Sequence, residues 1–162
     1  MDIKTLAVAF LAIELVAGAA AAADETVQIP IDGETTAGGV PVACTGFGQT
    51  KLDPRWTAYP VRVEFSGPAN EYLASEAITI WDAHKHVVLS ASCEGPWILL
   101  KLAPGSYRVE GRLLELAAKP RTAPFKAPAK GQIRVVLQFK DAQTGALAPG
   151  APAAPTGTAA PH

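Results

Sequence analysis

The chain has 162 residues, with 14 Lys and Arg against 15 Asp and Glu, a formal net charge of −1 at pH 7. This near-neutral balance, with no basic cluster interleaved with aromatics and no block of like charge, argues against a nucleic-acid surface and an acidic tail. Two cysteines without a CxxC spacing exclude a thioredoxin-like redox motif.

Residues 1–23 read as a signal peptide. Lys4 gives a polar start, "TLAVAFLAIELVAGAAAAA" is apolar apart from Glu14, and Ala21–Ala23 form a small-residue cleavage site before Asp24. A membrane anchor is the other reading. The run after Leu15 is nearly all Ala and Gly, which grip hydrocarbon poorly, so no stable anchor is expected. Cleavage would leave 13 basic and 13 acidic residues, since Lys4, Asp2 and Glu14 go with the leader. After export, Cys44 and Cys93 are most simply one disulfide, with two free thiols as the alternative. A bond across that interval would stabilise the fold by about 4 kcal/mol at most.

Residues 24–43 are expected to hold one strand, with Val27, Ile29 and Ile31 alternating, and then a Gly-rich loop. Residues 44–141 have the size of one small domain. Period-two patterns predict its strands. "VRVEF" places Val61, Val63 and Phe65 on one face, and "AITIW" sets Ile78 and Ile80 against Ala77, Thr79 and Trp81. "HVVLSAS", "WILLKL", "SYRVEG" and "IRVVLQF" continue the series, separated by "SGPAN", "DAHKH", "EGP", "APGS" and "APAKG". "GRLLELAAK" suits either a helical turn or continuation of the strand through Leu113. Pro104 and Gly105 predict a type II turn, with Gly105 at the left-handed position. Tyr107 and Val109 should then point inward, the tyrosine hydroxyl reaching the rim or a buried partner. The fold class expected is all-β, an antiparallel sandwich of about seven strands. Residues 142–162 end in "TGALAPGAPAAPTGTAAPH", which has too little bulky apolar surface to offset ordering entropy and is expected to be disordered.

The spacing L-x-P-G-x-Y-x-V, carried by Leu102, Pro104, Gly105, Tyr107 and Val109, resembles the hairpin of carboxypeptidase regulatory-like domains, which are transthyretin-like sandwiches. Together with "CTGFGQTKLDPRW", "YPVRVEF", "EYLASEAITIWDA", "GPWILLKLAPGSYRVEG" and "RVVLQF", residues 44–140 resemble small exported proteobacterial proteins of unassigned function. "DAHKH" departs from the Gly-containing turn usual in that family. The resemblance implies a periplasmic β-sandwich without enzyme activity and supplies no catalytic residues.

Chemistry-bearing residues are few. Neither G-x-S-x-G nor H-E-x-x-H occurs. Glu71 and Glu76 can be paired on paper, but nothing in the sequence sets them across a cleft. A transthyretin-related purine-pathway hydrolase would end in Tyr-Arg-Gly-Ser, whereas this chain ends in Ala-Pro-His. Asp82, His84 and His86, spaced by two, would share a face on a continuous strand and offer a metal two imidazoles and a carboxylate. They fall where two strands meet, where a solvated hairpin tip is the simpler reading. Trp56, Tyr59 and Trp97 are expected to seal an end of the sandwich. Trp81, beside Thr79 on the outer face, is the candidate ligand contact. The sequence therefore points to a non-enzymatic module binding a periplasmic protein or glycan, with no cofactor. The alternative is a metal carrier using Asp82, His84 and His86.

Overall fold

The computed structural model describes residues 25–142. The expected leader, and the expected tail apart from Ala142, lie outside the described residues; Ala142 itself is buried against the core rather than part of a disordered tail. Ten strands form the fold: β1 (Val27–Ile29), β2 (Gly33–Ala37), β3 (Val40–Thr45), β4 (Val61–Ser66), β5 (Glu76–Asp82), β6 (Val87–Cys93), β7 (Trp97–Leu100), β8 (Gly105–Leu113), β9 (Arg121–Ala127) and β10 (Ile133–Gln138). They build two five-stranded sheets, ordered β1-β6-β5-β8-β9 and β10-β4-β7-β3-β2.

Alternation explains which side chains meet between the sheets. In β5, Ile78 and Ile80 are buried while Ala77, Thr79 and Trp81 are half-buried on the other side. Val61, Val63 and Phe65 of β4 and Val135 and Leu137 of β10 face them, and Phe65 stacks on Phe139 at 5.8 Å. Burying each such side chain contributes about 1.5–3 kcal/mol. Gly111 lets the sheets close here. A Cβ on it would sit 2.4 Å from Leu137 Cδ1 and 2.7 Å from Phe65 Cε1. The Cys44–Cys93 disulfide forms, with Cα atoms 5.6 Å apart, and ties β3 of one sheet to β6 of the other.

Several expectations need correction. The sheets are mixed rather than antiparallel, because β1 runs parallel to β6 and β10 parallel to β4. Hairpins enforce antiparallel neighbours, but these two strands reach their partners after long excursions that local alternation does not encode. The described residues form ten strands rather than about seven. The Gly-rich stretch is a hairpin, β2 and β3 turning at Gly38 and Gly39, both with positive φ. "RTAPFKA" is also a strand, β9, which tolerates Pro124 because it lies at a sheet edge. Finally, Gly105 does not take the positive φ of a type II turn but opens β8, paired with Ala127. The Tyr107 ring lies along it and donates its hydroxyl to the Ala103 carbonyl at 3.1 Å, holding the corner in place of that turn. β8 itself continues through Leu113, so the strand reading of that stretch holds.

The outer side of the second sheet has its own cover. Two short 3-10 turns, Thr50–Leu52 and Pro54–Ala58, lay Trp56 and Tyr59 against Ala43 and Leu99. Asp53 caps the second turn by accepting from the Arg55 amide. Trp56 donates its indole N–H to the Thr50 carbonyl at 2.7 Å. Burial, and then the neighbouring Glu34, pushes the Tyr59 hydroxyl up to about 12. These aromatics cover a sheet face rather than seal an end of the sandwich.

Candidate functional site

The outer side of the first sheet is set by β5, β6 and β8. Thr79, Ser90, Arg108, Glu110 and Arg112 alternate with the core positions. Trp81 lies opposite Arg108 in the β5–β8 ladder, and the Arg108 guanidinium sits 4.6 Å from the indole centroid. This pair, with Asp82, Lys85, Ser106 and Tyr107, lines an open groove of about 220 Å³. The Tyr107 ring stacks on Phe125 at 5.7 Å on the core-facing side of β8 and β9, which fixes the strand that carries Arg108.

The groove ends at the β5–β6 hairpin. Asp82 Oδ1 accepts from the His84 amide at 2.8 Å and from the His86 amide at 3.0 Å. The His86 amide, and after it the His84 amide, holds the Asp82 carboxyl below its ordinary range. Lys85 takes a φ of 67°, a conformation that favours glycine. Asp82 thus supports a tight turn built without glycine at its tip. The imidazoles of His84 and His86 are 6.1 Å apart, and His86 Nδ1 is 3.4 Å from Asp82 Oδ2. Among the described residues no group of three or more His, Cys, Asp and Glu side chains is arranged to hold a metal. The carboxylate that the metal reading required is engaged by backbone amides.

Thr79 shares the face with Trp81 but not the groove. Its hydroxyl lies 3.2 Å from Ser90 Oγ, and it lines a separate hollow of about 70 Å³ with Glu110 and Arg112. Glu71 accepts from the Ala69 amide. Glu76 points inward beside Ile78 and is fully buried, and neither carboxyl oxygen has a hydrogen-bond partner among the described residues. Burial raises its carboxyl well above the usual range.

Sequence reasoning passed over Arg108. The signal that would have found it is its i, i+2, i+4 placement with Glu110 and Arg112, three alternating charges on one strand face beside a tryptophan. No protein-family model and no curated protein sequence matches the chain. No helix among the described residues is long and apolar enough to cross a membrane.

Proposed function

We propose that this chain is an exported, periplasmic binding module without catalytic activity, and that it docks an envelope glycan or protein on the outer face of its first sheet at Trp81. The observation that carries this reading is Trp81 itself. All three tryptophans have an arginine over the ring, but the two others are 4 % and 8 % exposed, whereas Trp81 is half-buried and bordered by a groove. A large aromatic left at the surface with a cationic neighbour suits recognition better than packing. The disulfide between the sheets fits an oxidising compartment. The resemblance to exported carboxypeptidase regulatory-like proteins agrees with export and with the absence of turnover.

The test compares wild type with Trp81→Ala on isolated envelope glycan and envelope protein fractions from the native cells. Retention should weaken by about 2 kcal/mol, roughly thirty-fold, if Trp81 is a binding hot spot. The denaturation midpoint should barely move. Equal retention of the variant, or a variant that loses several kcal/mol of stability, would overturn the reading.

A further inference from the structure

The charges around the groove do not cancel, and that narrows what it takes. Glu110 is flanked on its own face by Arg108 and Arg112. It accepts from Arg112 alone, at 2.9 Å from Nε and 2.6 Å from Nη2, both on Oε1. Arg108 is left without a carboxylate among the described residues and lies over Trp81 instead. Asp82, the one acid in the groove, already accepts two amides on Oδ1 and faces His86 on Oδ2. Lys85 at the hairpin tip adds a second positive charge, and Lys126 stands opposite Ser106 in the β8–β9 ladder. A locally positive groove thus sits on a chain whose total charge is close to zero.

We propose that this groove binds a carboxylated sugar, a uronate residue of a glycan, with its carboxylate on the Arg108 guanidinium. The proposal rests on the reading that the Trp81 face is a docking surface. A guanidinium fork matches a planar carboxylate through two parallel hydrogen bonds, and stacking on an indole holds the fork in one plane before the ligand arrives. The indole of Trp81 suits the C–H face of a pyranose, and the Ser106 hydroxyl, on the same side of β8 as Arg108, can exchange hydrogen bonds with ring hydroxyls. At about 220 Å³ the groove is smaller than a site for a drug-sized ligand, which is roughly 300 Å³ or more, and fits one or two rings. An acidic peptide fits less well. β5 lies between β6 and β8, and β8 between β5 and β9, so an extended peptide meets no open strand edge there.

The test is titration calorimetry of the intact protein with three probes: a uronate trisaccharide, its methyl ester and a hexaglutamate peptide. The uronate should bind at least tenfold more tightly than the ester and than the peptide. Arg108→Gln and Trp81→Ala should each weaken it tenfold or more. Arg108→Lys, which keeps the charge and loses the fork, should also weaken it. Lys101→Gln, the same charge change at an exposed site outside the groove, should leave it unchanged. Equal binding of the ester would overturn the carboxylate assignment while leaving the docking surface standing. Preference for hexaglutamate would overturn the sugar assignment. Binding of none of the three would overturn the inference as a whole, while the retention of Trp81→Ala on envelope fractions judges the docking surface separately.

Discussion

The two sheets carry the same alternation and meet opposite fates on their outer sides. On the second sheet the outward residues are roofed over. Trp56, Tyr59, Ala43 and Leu99 form a small apolar cluster, Trp97 is buried beneath Arg62 at 4.3 Å, and Glu64 is fully buried. Glu64 tolerates this because Arg62 Nε approaches one of its oxygens at 2.7 Å and Arg134 Nε the other at 2.5 Å. On the first sheet nothing comparable crosses the strands among the described residues. Its charges stay half-exposed, one tryptophan stands at the surface, and one arginine has no acid. A covered face uses its polar residues to hold its own roof, whereas an uncovered face keeps them available.

Substitution of the matching aromatics would break or sharpen this contrast most. Trp56→Ala should cost about 3–5 kcal/mol of folding stability, read from a urea melt, because it empties the roofed cluster. A loss below about 1 kcal/mol would mean that the 3-10 cover is not holding the second sheet. Next, the covalent tie between the sheets should matter nearly as much. Replacing Cys44 and Cys93 together by Ala should cost about 2–5 kcal/mol. Non-reducing peptide mapping should find the two joined, and free thiols in freshly isolated protein would contradict that.

Glu64 and Glu76 extend the contrast to two equally buried carboxylates. Glu64 has two arginines and Glu76 has none. In the unfolded chain Glu76 would titrate near pH 4.3, whereas in the fold its raised carboxyl keeps the proton to higher pH. Above about pH 4 the folded state therefore holds more protons than the unfolded state. The contribution of Glu76 to stability is full below that pH and declines as pH rises toward the folded value, by up to about 1.4 kcal/mol per pH unit. Glu76→Gln should remove this slope, so its stability relative to wild type should grow from pH 5 to pH 8 in parallel denaturant melts. A constant difference would show that Glu76 is ionised in the fold. The smallest expected effect is on the open face, where Trp81→Ala should change stability by no more than about 1 kcal/mol.

Much of the interior was legible because large residues alternate there. Val61, Val63, Phe65, Ile78 and Ile80 declare their faces without help from the rest of the chain. Val87 misleads: a register irregularity beside Trp81 leaves it exposed at the hairpin end while Leu89 and Ala91 turn inward. β2 and β9 were hidden because several inward residues are small, as at Ala37, Ala123 and Ala127, with Phe125 the exception, and because Gly and Pro flank or interrupt them. The outward position of Trp81 followed from the same alternation as Ile78 and Ile80. The freedom of Arg108 did not, since it depends on which of two arginines Glu110 takes, a choice made by side-chain geometry rather than by spacing. The burial of Glu64 was equally invisible, because the roof that buries it comes from other parts of the chain.

The parallel strand β10 has a consequence for how the protein comes into being. Sheet two is incomplete until Ile133–Gln138 settles alongside Val61–Ser66, and Phe65 lacks its stacking partner until Phe139 arrives. A growing or emerging chain therefore cannot finish this half of the molecule early. It must hold β4 with a bare edge while some seventy residues follow, the separation spanned by the Arg134–Glu64 pair. Such long-range closure is slow compared with hairpin formation. Any product ending before Ile133 would present an unpaired, valine-rich strand to its neighbours, a template for aggregation that β10 conceals.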